Sequence, residues 1–163
     1  MKGDPIDIAA AQVVLDLCSY EGLVDSALSA IEVGYDVPSL YVLAALSGKE
    51  TVDSKEVFLR VMRELGMSLP SKHAAVLTLS QALARDILSG TITPEIGARK
   101  IWDLTLRAPT EQISGLDTFV YAASEWDERP EDCAMFEKGV RDAAAKLVNG
   151  GGRADSDDLP RRH

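Results

Sequence analysis

Residues 53–66, with the sequence DSKEVFLRVMRELG, carry the clearest structural signal in the chain. Their apolar side chains recur at the three- and four-residue intervals that bring them onto one face of an α-helix: Val57, Phe58, Val61, Met62 and Leu65. Asp53 or Ser54 is suited to the N-cap of this helix, and Gly66 is suited to the position just after its end. We therefore predict an amphipathic helix with defined start and stop signals.

The same signals recur on both sides of this stretch. Asp4 and Thr93, each followed by proline, are typical of helix starts, and Gly90 is typical of a helix end. A further helix is indicated by a stripe of apolar residues: Ile113, Leu116, Val120 and Ala123. The pattern predicts an all-α protein of about eight short helices whose short connections favour antiparallel hairpins. We expect one compact domain over residues 1–149 and a disordered, polar, glycine-rich tail over residues 150–163.

The composition excludes several classes of protein. The 163 residues include 26 Asp and Glu against 17 Lys and Arg, which gives a formal net charge of −9. A negative field of this size repels nucleic acids and anionic lipid surfaces, so we expect neither as a partner. Two cysteines are too few for a disulfide framework, and the N-terminus lacks a secretory signal pattern. The sequence therefore predicts a cytoplasmic protein.

The negative charge is concentrated in two segments. Residues 1–48 contain seven acidic and one basic residue, and residues 110–132 contain the same numbers. Residues 49–109 contain nine basic and seven acidic residues. If the two acidic segments pack side by side, they form one acidic face.

The sequence contains no catalytic or nucleotide-binding motif. His73 has no Cys, Asp or Glu three or four residues away, and nothing around Ser80 resembles a nucleophile elbow that would join it to His73 and Asp86. The glycine cluster at residues 150–152 follows a helix instead of preceding one, so it does not form a phosphate-binding loop. We expect no catalytic residue, no resident metal and no cofactor.

Acidic residues are concentrated between the last two predicted helices. Five of them lie within eight residues: Glu125, Asp127, Glu128, Glu131 and Asp132. They are interpreted as a solvated helix N-terminus, as a cation site or as a contact for a basic protein. Trp126 lies within this cluster either as a half-covered surface anchor or as a core residue, and Trp102, on the face that also contains Ala98 and Ile101, is interpreted as a core residue.

Two short motifs resemble a known pattern. Residues 97–102 read Gly-Ala-Arg-Lys-Ile-Trp and residues 123–126 read Ala-Ser-Glu-Trp. Over roughly residues 34–148 the chain resembles an uncharacterised family of small bacterial all-helical proteins with Gly-Ala-Arg-x-Ile-Trp followed by Ala-Ser-Glu-Trp. The resemblance implies a helical fold and no particular activity. It also implies that Arg99 and Trp102 lie near the acidic cluster, where an Arg99–Glu125 bridge between two indoles is expected.

Three functional hypotheses follow from these features. The first is a non-enzymatic module that binds a basic protein, as an inhibitor or immunity-type protein does, through Glu125, Trp126, Asp127, Glu128 and Glu131. The second is a divalent-metal protein or enzyme using Glu125, Glu128 and Glu131 with Asp16 or Asp103. The third is a ligand pocket between helices.

Overall fold

Helices are the regular secondary structure of the part of the chain that is described, and turns and short loops connect them. The computed structural model describes residues 3–48, 53–108 and 113–161, and from residue 151 onward it describes the backbone alone. Within these ranges there is no β-strand, and the all-α class predicted from the sequence is confirmed. The helices are α1 (Pro5–Val14), α2 (Tyr20–Glu32), α3 (Pro38–Ala44), α4 (Ser54–Glu64), α5 (Lys72–Ser89), α6 (Pro94–Thr105), α7 (Asp117–Glu125), a 3₁₀ helix (Pro130–Asp132) and α8 (Cys133–Arg161).

Side-chain caps begin several of these helices where the sequence predicts them. The carboxylate of Asp4 accepts hydrogen bonds from two N–H groups of the first turn of α1. Asp53 caps α4 by accepting from the N–H of Lys55, and Thr93 caps α6 by accepting from the N–H of Ile96. These bonds satisfy N–H groups that have no partner inside the helix.

The described residues divide into two compact units, residues 3–78 and residues 79–161, and the division falls within α5. In the first unit α2 contacts α1, α3 and α4. The core of this unit is formed by apolar side chains of all four helices, among them Ile6, Leu23, Ala27, Leu40, Leu43, Phe58 and Val61. Cys18 is partly buried against this core.

The N-terminus of α3 receives its cap from another helix. Glu64, at the end of α4, accepts hydrogen bonds from the backbone N–H of Ser39 at 2.9 Å and from the Ser39 hydroxyl. The two bonds from Ser39 lower the pKa of the Glu64 carboxyl below its ordinary value, because they stabilise its charged form. A contact between residues distant in sequence thus replaces the side-chain cap that Val37 cannot provide.

In the second unit α6 contacts α7 and α8, and α7 also contacts α8. The backbone of α6 at Gly97 packs directly against the side chain of Ile87 in α5. A β-carbon built at Gly97 would lie only 2.4 Å from Cδ1 of Ile87. The buried side chains of these helices include Ile101, Leu104, Phe119, Val140 and Ala144, and Leu116, the residue before α7, is buried as well.

The last helix differs from the sequence prediction at its C-terminal end. The sequence predicts an end near Gly150, whereas α8 continues to Arg161. A glycine costs about 1 kcal/mol in a helix relative to alanine but keeps its N–H donor, so it weakens a helix without ending it. The predicted boundaries of the domain and the disordered tail stay predictions.

Candidate functional site

The acidic cluster forms the connection between α7 and α8, and we call residues 125–132 the acidic corner. α7 ends at Glu125, the short 3₁₀ helix Pro130–Asp132 follows, and α8 begins at Cys133. The connection is short because the N–H groups of Glu128 and Arg129 both bond back to the carbonyl of Glu125. The corner thus directly connects the C-terminus of α7 to the N-terminus of α8, two helices that pack against each other.

Three aromatic side chains pack together at the corner and form an aromatic cluster: Tyr121, Trp126 and Phe136. The indole of Trp126 is only 6% exposed, and its ring centre lies 5.6 Å from that of Phe136 in α8. The ring of Tyr121 approaches Phe136 edge-on, with centres 6.1 Å apart and an interplanar angle of 72°. Of the two interpretations of Trp126, the structure supports the core residue, because the indole is covered and packed.

Trp102 is the more exposed of the two tryptophans. Its side chain is only partly buried, whereas the sequence predicted a core residue. Trp102 lies on α6 beside Ile101, which is fully buried. The prediction was wrong because neighbouring positions on one helix differ by about 100° in direction, and the apolar stripe of α6 is centred on Ile101.

Arg99 joins α6 to the acidic corner through a different carboxylate from the one expected. Its guanidinium contacts Glu95 one turn earlier and Asp127 in the corner, each at 3.0 Å. The hydrogen bond that Arg99 donates to Glu95, together with the charge of Asp127, raises the pKa of Arg99. The expected Arg99–Glu125 bridge is therefore corrected to Arg99–Asp127, in which a partly exposed arginine neutralises one acidic side chain of the corner.

Arg129 occupies the centre of the corner. Its guanidinium forms an ion pair with Asp132, donates from Nη1 to the Tyr121 hydroxyl at 2.8 Å and lies 5.7 Å from the centre of the Phe136 ring. The hydrogen bond to Asp132 is the main reason that the pKa of Arg129 is raised. These contacts hold the Arg129 side chain against Tyr121 and Phe136. Its positive charge is balanced by Asp132, within the corner itself.

Three carboxylates of the corner are left without such a partner. Glu128 and Glu131 are exposed and Glu125 is partly exposed. Among residues 3–48, 53–108 and 113–150, whose side chains are described, no side-chain ion pair or hydrogen bond joins any of the three to another residue. Because both neighbouring arginines already pair with Asp127 and Asp132, the surface that remains at the corner is negative.

The arrangement does not resemble a metal site. Among the described residues, no three His, Cys, Asp or Glu side chains are grouped so that they could hold a metal ion. The set predicted for a divalent cation, Glu125, Glu128 and Glu131 with Asp16 or Asp103, is therefore not brought together. Asp16 follows α1 in the first unit, and Asp103 is exposed on α6.

Two other candidate sites receive little support. The Ser80 hydroxyl is fully buried and has no hydrogen-bond partner among the described residues, so no Ser80–His73 pair is formed. A groove in the first unit has a volume of about 260 Å³ and is lined by Tyr20, Glu21, Val24, Asp25, Leu46, Ser47 and Gly48. This volume lies below the roughly 300–1,000 Å³ that is usual for small-molecule pockets.

Sequence reasoning found the acidic side chains of this site but missed its aromatic support. Phe136 stands among the apolar residues of the last helix, and nothing in the sequence indicates that it packs under Trp126. The ion pair between Arg99 and Glu95 could have been predicted from the sequence, because oppositely charged residues four positions apart on a helix are neighbours.

Comparison of the chain with protein-family models, with curated proteins and with solved structures found no match. In the part of the chain that is described, no helix is long and apolar enough to cross a membrane. The resemblance to small bacterial helical proteins stays a prediction.

Proposed function

We propose that this protein is a non-enzymatic, cytoplasmic binding module that uses the acidic corner to contact a basic protein, as an inhibitor or immunity-type protein does. The observation that carries the proposal is the unpaired negative charge of Glu125, Glu128 and Glu131 on a rigid support. Trp126 and Phe136 pack beneath the corner, and Arg99 and Arg129 hold its two ends. The proposal includes membership of the small bacterial family that residues 34–148 resemble.

Charge supports a basic partner. The chain carries a net charge of −9, and opposite charge on a partner increases the rate of association and disfavours acidic competitors. The backbone that carries these carboxylates is fixed by the bonds of Glu128 N–H and Arg129 N–H to the Glu125 carbonyl, so only the side chains themselves have to be ordered when a partner binds. An inhibitor of a basic toxin needs this combination of a fixed surface and strong attraction.

The test compares capture by two variants with equal charge. One carries Glu128→Gln and Glu131→Gln at the corner; the other carries Glu32→Gln and Glu56→Gln, which alter exposed acids of the first unit. Wild-type and variant proteins are immobilised, incubated with native lysate at low and moderate salt, and the captured proteins are identified by mass spectrometry.

We expect a basic protein that the wild type and the control variant retain and the corner variant loses, with weaker retention at higher salt. Equal capture by both variants, or capture that does not depend on salt, would contradict the proposal. A toxin encoded beside this gene would be the first purified partner to examine.

A further inference from the structure

Two large apolar side chains beside the acidic corner are half exposed. Tyr121 of α7 is 50% exposed and Met135 of α8 is 53% exposed. Both lie within a few residues of the corner, Tyr121 before it and Met135 after it. Isolated exposed apolar residues are common, so their importance depends on whether these two are neighbours.

The register of α7 and α8 makes them neighbours. A β-carbon built at Gly139 would lie 3.8 Å from Cγ2 of Thr118, and the ring of Tyr121 contacts that of Phe136. The two helices therefore run antiparallel, so later residues of α7 face earlier residues of α8. Met135 is one turn before Gly139, and Tyr121 is about one turn after Thr118, so the two residues occupy the same level of this helix pair.

The Tyr121 ring is held in place before any partner binds. Its hydroxyl accepts a hydrogen bond from Arg129, and its ring edge packs on Phe136. A fixed aromatic ring loses little conformational freedom on binding, which is why tyrosine is common among the residues that dominate binding energy. Met135 adds a flexible apolar side chain that adapts to the surface it meets.

The unpaired charges near this pair are acidic, because Arg129 pairs with Asp132 and Lys138 pairs with Asp142. Glu128 and Glu131 are exposed at the adjoining corner, and Asp132 is partly exposed there. A second copy of the chain would bring the same negative charges against them, so self-association through this face is disfavoured. The complementary occupant has an apolar centre surrounded by positive charge.

We infer that Tyr121 and Met135 form the apolar centre of a docking surface for a basic amphipathic segment of a partner protein, with Glu128 and Glu131 at its rim. The inference rests on the proposed function and adds the chemistry of the segment that is recognised. Lysine or arginine side chains of the partner meet the rim, and an apolar side chain of the same segment contacts Met135 and the Tyr121 ring.

Two synthetic helical peptides serve as probes. One has a leucine stripe flanked by lysines; the other has the same lysines with serine in place of each leucine. Affinity is measured by calorimetry, and the contact surface is mapped by backbone amide shifts. The variants are Met135→Ser, Met135→Leu and the control Leu28→Ser, which alters a side chain 48% exposed on α2. Helix content by circular dichroism confirms that each variant is folded.

The leucine–lysine peptide is expected to bind Met135→Ser about tenfold more weakly than the wild type, as is usual when a central interface side chain is truncated. Met135→Leu and Leu28→Ser retain the affinity, and the serine–lysine peptide binds the wild type and Met135→Ser equally. Amide shifts concentrate around Tyr121 and Met135.

Two results separate this inference from the proposed function. If Glu128→Gln with Glu131→Gln weakens both peptides while Met135→Ser weakens neither, the apolar docking surface is wrong and the acidic binding surface stands. If the charge variants have no effect on either peptide, the proposed function fails as well. A concentration-dependent dimer that Met135→Ser abolishes would identify a second copy as the occupant and overturn the inference.

Discussion

The substitution Gly97→Ala probes the closest packing in the second unit. Gly97 is buried in α6, and a β-carbon there would lie 2.4 Å from Cδ1 and 2.5 Å from Cγ1 of Ile87, and 3.2 Å from Cδ1 of Ile92. Atoms that are not bonded normally approach no closer than about 3.5 Å between carbons. Ile87 is fully buried, so its side chain has no solvent-filled space into which it could move.

Two opposing effects determine the change in stability. Replacing glycine by alanine inside a helix favours the folded state by about 1 kcal/mol. Inserting a methyl group into a packed core costs about 1–3 kcal/mol, and two contacts near 2.4 Å belong in the upper half of that range. We expect a net loss of about 1–2 kcal/mol, which lowers the melting temperature by about 2–8 °C for a chain of this length.

Urea denaturation followed by circular dichroism measures this loss. Gly139→Ala in α8 is the matched control, since its β-carbon would meet only Cγ2 of Thr118 at 3.8 Å. The control is expected to increase stability by about 1 kcal/mol, because it gains helix propensity without a clash. The same substitution thus has opposite signs at Gly97 and Gly139.

A double-mutant cycle identifies the clashing residue. In an Ile87→Ala background the obstructing atoms are absent, so Gly97→Ala is expected to become neutral or stabilising. If Gly97→Ala stabilises the wild-type protein as much as Gly139→Ala does, the close approach of α6 to Ile87 is wrong. If its effect is the same with and without Ile87, the cause of the destabilisation lies elsewhere.

Two further predictions concern polar side chains. Ser80→Ala is expected to raise the free energy of unfolding by about 1 kcal/mol, because it removes a buried hydroxyl that has no hydrogen-bond partner among the described residues. A loss of stability in urea denaturation would show that the hydroxyl is satisfied. Glu64→Gln is expected to destabilise the protein at pH 7, because it removes the charge-assisted bonds from Ser39. The folded state lowers the pKa of Glu64, so the carboxylate's contribution is present above its ordinary pKa and is lost as the pH falls through the lowered value. Thermal melts from pH 7 to pH 3 should therefore converge for wild type and variant, and a difference that stays constant with pH would contradict this assignment.

The acidic corner shows how much of the candidate site local sequence can indicate. Its carboxylates and their position between two helices follow from residue types and from helix start and stop signals. Their pairing does not follow, because Arg99 reaches Asp127 only through the packing of α6 against α7. The sequence favoured Glu125, two residues away, since spacing along the chain contains no information about the angle between two helices.

The orientation of α7 is a second case. The apolar stripe predicted from the sequence includes Val120, but Val120 is only partly buried and its neighbour Phe119 is fully buried. α7 has only nine residues, so periodicity defines its inner face poorly. The larger ring is buried because it removes more apolar surface from water.

The sequence by itself determined the all-helical class and the caps of α1, α4 and α6, because these features depend on hydrogen bonds and periodicities within a few consecutive residues. The tertiary structure alone decided that Trp126 is buried and that Arg99 binds Asp127. It also set the antiparallel register of α7 and α8, in which Thr118 faces Gly139 and Tyr121 faces Phe136. Those outcomes depend on how α6, α7 and α8 pack, and close packing selects among side-chain arrangements that local sequence leaves equivalent.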